Sequence, residues 1–84
     1  MKLKNLIITP NGDEFVAVNA DGVFNGMIRM NHTAAFIAEE LKEDKTLEQL
    51  VARVCEKYDV TADIAEQNVN TFIRQFKSIN MIEE

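Results

Sequence analysis

The chain has 84 residues, of which 46% are hydrophobic, and this length allows one domain with a modest core. A core of this size leaves little volume for an internal active-site pocket, which argues against an enzyme that works alone. The formal net charge of −5, with nine basic residues spread along the chain, disfavours binding to nucleic acid or to an anionic membrane surface.

Two short strands are predicted near the N-terminus. The run Leu6–Thr9 is β-prone and is predicted to end at the turn signal Pro10-Asn11-Gly12-Asp13. Glu14–Val18 follows as the second strand, and Asn19–Gly22 is predicted as a second turn with Asp21-Gly22 at its centre. The first twenty-odd residues are therefore expected to form a hairpin.

The third strand is predicted at Val23–Met30, where Gly26 indicates a bulge or a close backbone approach. Alternation of side chains along a strand places Ile28 and Met30 on one face, and Met27 and Arg29 on the other. Ile28 and Met30 are assigned to the core.

Three helices are predicted in the remaining fifty residues. Asn31 is the expected N-cap of the first, which runs from His32 to about Lys42. Thr46-Leu47-Glu48-Gln49 matches a capping box, and it predicts a second helix that runs to about Tyr58. Thr61 is the expected N-cap of the third, at about 62–78. Helical spacing predicts these buried positions: Ala34, Ile37, Ala38, Leu41, Leu47, Leu50, Val51, Val54, Tyr58, Ala65, Val69, Phe72, Ile73 and Phe76, with Ile79, Met81 and Ile82 closing the core.

Strands followed by helices indicate an α+β fold, in which a three-stranded antiparallel sheet precedes three helices. This order is similar to that of a winged helix-turn-helix. Repeats, low-complexity tracts and linkers are absent from the sequence, so residues 1–84 are predicted to form a single domain.

Candidate catalytic residues are few. His32 is the only histidine and is expected to be exposed in a first helical turn, and Cys55 is expected to pack as a small hydrophobic residue. One histidine and one cysteine do not supply the usual four ligands of zinc, and no glycine-rich phosphate loop is present. The sequence predicts a protein that is not an enzyme and uses no metal or cofactor.

The single cysteine cannot form an internal disulfide, so nothing indicates a secreted, disulfide-stapled scaffold. The apolar run Leu6–Ile8 is too short for a signal peptide, and no run approaches the roughly 20 residues of a membrane helix. We therefore expect a cytoplasmic protein that makes no membrane contact.

A DNA-binding role is the alternative that the predicted fold suggests. The third helix offers polar side chains that could contact bases, among them Gln67, Asn70 and Arg74. However, Asp63 and Glu66 lie in its N-terminal part, where recognition helices commonly meet DNA and where phosphates would repel them.

The edge of the third predicted strand has little protection. In a three-stranded meander the first and third strands each leave one row of backbone donors and acceptors unpaired. Pro10 and two lysines protect the first strand, whereas Arg29 is the only charge in Val23–Met30. An uncovered apolar edge favours the addition of a partner strand. Two alternatives stay open: the third helix covers the edge, or the edge pairs with itself in a homodimer.

Four segments carry a resemblance to a known family: Phe24–Asn31, Thr33–Ile37, Lys45–Val51 and Tyr58–Val60, together with the apolar positions Val69, Phe72, Ile73, Phe76, Met81 and Ile82. Their order and spacing resemble the PqqD family over nearly the whole chain. Ala38 stands where that family often has Trp, and Glu40 stands where it often has Leu. Both departures lie on the first predicted helix, away from the third strand.

Members of the PqqD family are small peptide chaperones of pathways that modify ribosomally made peptides. The resemblance implies a winged-helix-like fold and a non-catalytic role, in which the leader of a precursor peptide is bound and presented to a modifying enzyme, often a radical S-adenosylmethionine enzyme. The leader is expected to pair with the third strand beside the third helix. The implied peptide-binding residues are Val23, Phe24, Asn25, Gly26, Met27, Ile28, Arg29, Met30, Gln67, Asn70, Thr71 and Arg74.

Overall fold

The computed structural model of the chain describes residues 1–19 and 26–84. Within these residues the chain forms five strands and three helices. They are β1 (Lys2–Leu3), β2 (Leu6–Asn11), β3 (Glu14–Asn19), β4 (Met27–Met30), α1 (His32–Glu40), α2 (Leu47–Tyr58), α3 (Ala62–Ser78) and β5 (Ile82–Glu83). The predicted turn at Asp21-Gly22 and the predicted strand residues Val23, Phe24 and Asn25 lie outside the described residues.

The three predicted strands form an antiparallel sheet in the order β2-β3-β4, as the sequence predicts. The register is regular throughout, so each strand keeps one set of side chains on the helix side and one set on the outer side. Ala17 and Ile28 are buried on the helix side, whereas Ile7 and Met27 are exposed on the outer side. The α+β fold class is confirmed.

The turn predicted at Pro10-Asn11-Gly12-Asp13 is shorter than the sequence indicates. β2 continues through Pro10 to Asn11, which lies opposite Glu14, so the loop contains Gly12 and Asp13 alone. Gly12 has φ +67° and Asp13 does not have a positive φ, the combination that a type II′ hairpin turn uses. Proline is tolerated in a strand where its missing N–H faces away from the neighbouring strand, which explains why β2 does not end at Pro10.

All three predicted helices are present, with the predicted caps. The Asn31 side chain accepts a hydrogen bond from the N–H of Ala34 at 2.8 Å, and the Thr61 hydroxyl accepts one from the N–H of Ile64 at 3.4 Å. At the start of α2, Thr46 and Gln49 form both bonds of the capping box, at 3.1 and 2.9 Å. These short-range contacts fix the helix starts.

α1 ends about two residues earlier than predicted. Leu41 is its C-cap, and the N–H of Lys42 bonds to the carbonyl of Glu39. Leu41 is fully buried and its carbonyl accepts a bond from the N–H of Leu3, so the chain leaves the helix there to pack against β1.

The core is formed largely by the predicted apolar positions. The prediction of Leu47 as a core residue is wrong: it occupies the first position of α2 and is 38% exposed. Ala34 is half-buried against the core, and its neighbour Ala35 is the residue of this pair that is fully buried. Leu3 and Ala17 are buried although the sequence did not indicate them. The remaining predicted core residues that are only half-buried are Val51, Tyr58, Ile73 and Ile79.

The end of α3 is closed by a Schellman motif, which the sequence alone did not indicate. Asn80 adopts a left-handed conformation with φ +60°, its N–H bonds to the carbonyl of Lys77, and the N–H of Met81 bonds to the carbonyl of Phe76. In this motif the residues at the positions of Phe76 and Met81 commonly make a hydrophobic contact, and both are fully buried here. β5 then pairs with β1 and ties the two ends of the chain together.

No helix in the part of the chain that the structure describes is long and apolar enough to cross a membrane.

Candidate functional site

The hydrogen-bond pattern of the sheet follows from the hairpin at Gly12. Asn11 and Glu14 flank a two-residue turn, so they form a hydrogen-bonded pair, and in an antiparallel ladder such pairs alternate with non-bonded ones. Pro10 and Phe15 are therefore a non-bonded pair, consistent with the missing N–H of proline. On β3, the residues that bond to β2 are Glu14, Val16 and Val18, and the residues between them bond to β4.

The same alternation decides which backbone groups of β4 face outwards. Ile28 lies opposite Ala17 and Met30 lies opposite Phe15, so Ile28 and Met30 direct their N–H and C=O groups into the sheet. Met27 and Arg29 direct theirs to the open edge. Within the described residues, no group of another element hydrogen-bonds to these edge-facing backbone groups of Met27 and Arg29. The edge of β4 thus offers two N–H donors and two C=O acceptors to a partner.

A groove lies beside this edge, between β4 and α3. It encloses about 200 Å³, less than the roughly 300–1,000 Å³ of most sites for small molecules. Its base includes buried Met30 and Phe72, and its rim carries amide and hydroxyl groups. The lining residues are Arg29, Met30, Asn31, Thr33, Ala34, Asn68, Thr71, Phe72 and Gln75. A groove of this size and lining suits one or two side chains of an extended peptide.

The structure places only part of the predicted helical set at this groove. Thr71 lines the groove, whereas Gln67 and Asn70 line a separate depression together with Asp63 and Glu66. Arg74 is exposed and lies immediately before Gln75, which does line the groove. The face of α3 nearest β4 therefore differs from the predicted one. It contains Asn68, Thr71, Phe72 and Gln75.

A signal for the missed residues was present in the sequence. Phe72 was predicted to be buried, and Asn68 and Gln75 lie four residues before it and three residues after it, hence on the same side of a helix with 3.6 residues per turn. Placing that side against β4 required the tertiary packing.

Among the predicted strand residues, Gly26 has φ +134°, a conformation that favours glycine, and it leads directly into β4. Met27 and Arg29 present both their side chains and their edge backbone groups to solvent, whereas the side chains of Ile28 and Met30 are buried. Val23, Phe24 and Asn25 lie outside the described residues.

The opposite edge of the sheet differs in its chemistry. On β2 the outward-directed residues are Leu6, Ile8 and Pro10, and Pro10 has no N–H to offer. A depression of about 350 Å³ adjoins Leu6 and Ile8, and its lining includes Lys2, Lys4, Lys42 and the fully buried Ala38. It is the larger cavity, but proline interrupts the neighbouring edge, so volume alone does not select it as a peptide site.

The candidate catalytic residues have structural contacts. The ring of His32 packs edge-to-face on Phe15 with centroids 5.3 Å apart. The backbone carbonyl of His32 accepts a hydrogen bond from the Tyr58 hydroxyl at 3.1 Å. Cys55 is half-buried against the core. Within residues 1–19 and 26–84, no cluster of three or more His, Cys, Asp or Glu could hold a metal ion.

Comparisons with known proteins bear on the whole fold. A family model described as coenzyme PQQ synthesis protein D (PqqD) matches residues 11–82. A solved structure described as TbiB1 in complex with the TbiA(beta) leader peptide is similar to the chain with a TM-score of 0.74 and 22% sequence identity. The similarity covers 99% of this chain and 95% of that one, so the two proteins share a fold. No curated protein is similar enough in sequence to count as a match.

Proposed function

The chain belongs to the PqqD family, and we propose that it is a non-catalytic peptide-binding chaperone for a ribosomally made precursor peptide. The leader segment of the precursor adds as a strand to β4, and the protein presents it to a modifying enzyme of the radical S-adenosylmethionine class. The observation that carries the proposal is the open backbone edge at Met27 and Arg29 beside the groove between β4 and α3.

The fold shared with TbiB1 supports this proposal, because that protein is described in complex with a leader peptide. The radical S-adenosylmethionine partner rests on the family resemblance.

The open edge would supply affinity that tolerates different leader sequences. Met27 and Arg29 together offer four backbone hydrogen-bonding groups, and any non-proline residues of an extended peptide can pair with them. The groove supplies selectivity, since every second side chain of the added strand points towards α3. Ordering a flexible leader costs conformational entropy, so we expect moderate affinity rather than very tight binding.

The test is a titration of ¹⁵N-labelled protein with synthetic peptides that tile the leaders of precursors encoded beside the gene. We expect amide shifts at Met27–Met30 and at Asn68, Thr71 and Gln75. Shifts at Leu6 and Ile8 with a silent β4 would assign the site to the opposite edge and refute the proposal. Shifts at β4 that follow protein concentration, with no response to any peptide, would instead indicate a homodimer through this edge.

A further inference from the structure

An apolar row crosses the outer face of the sheet. Ile7 lies directly opposite Val18, and Val18 lies directly opposite Met27, so the three side chains are neighbours on three adjacent strands. Their exposed fractions are 54%, 36% and 73%. The row therefore becomes most exposed at Met27, on the strand whose edge is open.

Three apolar side chains in a row are unusual on the solvent-exposed face of a sheet. The buried side chains of the sheet lie on its other face, and antiparallel sheets with one solvated face normally carry polar residues there. An exposed apolar residue on an edge strand is also a feature that proteins commonly avoid, because it favours pairing with another chain. Met27 combines both features, since its side chain is exposed and its backbone groups face the open edge.

Arg29 follows on the same outer face, two residues after Met27. Its neighbour across the ladder is Val16, and beyond that Thr9, while the carboxylate of Glu14 lies diagonally on β3 and forms no ion pair with it. Among the described residues Arg29 takes part in no ion pair. An apolar and a cationic position thus stand side by side at the edge where a fourth strand would be added.

We propose, as a refinement that rests on the proposed function, that the peptide bound at β4 carries an apolar side chain opposite Met27 and an acidic side chain opposite Arg29, two residues apart. A strand added at this edge continues the sheet, so its residues opposite Met27 and Arg29 point to the outer face beside those side chains. The apolar residue extends the row of Ile7, Val18 and Met27 by one strand. The residues between and beyond this pair point towards the groove.

The order of the two residues reports the direction of the peptide. In an antiparallel addition the acidic residue precedes the apolar one by two positions, and in a parallel addition it follows by two. A peptide with an apolar residue and a carboxylate in adjacent positions cannot place both on the outer face, because neighbouring side chains of a strand alternate.

The outer-face contact is tested with the peptide that shifts the β4 amides in the titration above and with paired protein variants. Met27→Thr removes the apolar side chain at the edge, and Ile7→Thr makes the same kind of change two strands away. We expect Met27→Thr to weaken peptide binding about three- to tenfold and Ile7→Thr to leave it within about twofold. Equal effects of the two variants, or no effect of Met27→Thr, would overturn the proposal.

The peptide side is tested by alanine scanning. We expect the two most sensitive outward-facing positions to be one apolar and one acidic residue spaced by two. Replacing the acidic peptide residue with alanine should no longer weaken binding to Arg29→Ala protein. Replacing the apolar peptide residue with alanine should no longer weaken binding to Met27→Thr protein. A peptide that binds at β4 without this pattern would refute the refinement and leave the proposed function intact, whereas a silent β4 with every peptide would refute both.

Discussion

Glu40 Oε1 accepts a hydrogen bond from Arg53 Nε at 2.7 Å, and this contact joins the end of α1 to the middle of α2. The Arg53 guanidinium also lies over the Phe36 ring, 5.9 Å from its centroid, and Lys45 donates a hydrogen bond to the Glu40 carbonyl. Glu40 is 18% exposed, so its pair with Arg53 is better protected from water than the pair of Glu39 with Lys42.

Removing the Glu40 charge is expected to destabilise the fold. Glu40→Gln should lower the free energy of unfolding by about 1 kcal/mol, since a charged hydrogen bond between two helices is replaced by a neutral one. Glu39→Gln is the matched control, because Glu39 pairs with Lys42 in an exposed contact within one segment, and its loss should cost less than about 0.5 kcal/mol. Urea unfolding of the three proteins measures the difference, and equal stabilities of the two variants would contradict the expectation.

The same contact predicts a dependence on pH. The hydrogen bond from Arg53 holds the pKa of Glu40 below its ordinary value of 4.5. Because the pKa is lower in the folded than in the unfolded chain, the stabilisation is fully present above about pH 4.5 and is lost as the pH falls through the folded value. Urea unfolding at a series of pH values should therefore show a shallower loss of stability in Glu40→Gln than in the parent protein. If the stabilities of the two proteins fell in parallel with pH, Glu40 would not contribute to the pH dependence of stability.

The left-handed turn after α3 predicts different effects of two substitutions on stability. Asn80 has φ +60°, which costs most L-residues about 1 kcal/mol or more and costs glycine little. Asn80→Ala should lower the free energy of unfolding by about 1 kcal/mol, while Asn80→Gly should leave it unchanged or raise it slightly. Thermal unfolding of both variants is the measurement, and greater stability of the alanine variant would contradict the Schellman geometry.

Arginine substitutions at two positions of α3 test which face of the helix binds the leader. Thr71→Arg places a long side chain in the groove and should weaken leader binding at least tenfold, whereas Gln67→Arg adds the same charge outside it and should change affinity by less than about threefold. Thr71 and Gln67 are both exposed on α3, so neither variant should unfold the protein. Loss of binding in Gln67→Arg alone would restore the orientation predicted from sequence.

Local contacts explain why much of the fold could be predicted. The capping box of Thr46 and Gln49 involves residues three positions apart, and the start of α2 follows from it directly. The Gly12 turn likewise lies next to the strands that it joins. The predicted end of the first strand at Pro10 was wrong. Whether a proline interrupts a strand depends on whether its missing N–H would face the neighbouring strand, and that direction is known only once the sheet is formed.

Contacts between distant residues explain what could not be predicted. The pairing of Leu3 with Ile82 joins residues almost eighty positions apart, and two-residue strands carry too little sequence pattern to indicate it. The face of α3 nearest β4 depends on how the helix packs, so Thr71 was identified and Asn68 and Gln75 were not. The outward direction of Met27 and Arg29 follows only once the register of all three strands is known.

The central claim is that the leader pairs with the backbone edge of β4, and one comparison tests it most directly. Arg29→Ala removes the side chain and keeps the outward N–H, whereas Arg29→Pro removes both, and proline is tolerated on an edge strand where the N–H faces solvent. With the fold of both variants verified by circular dichroism, we expect leader peptide to bind Arg29→Pro at least about tenfold more weakly than Arg29→Ala. Equal affinities of the two folded variants would contradict strand addition at this edge.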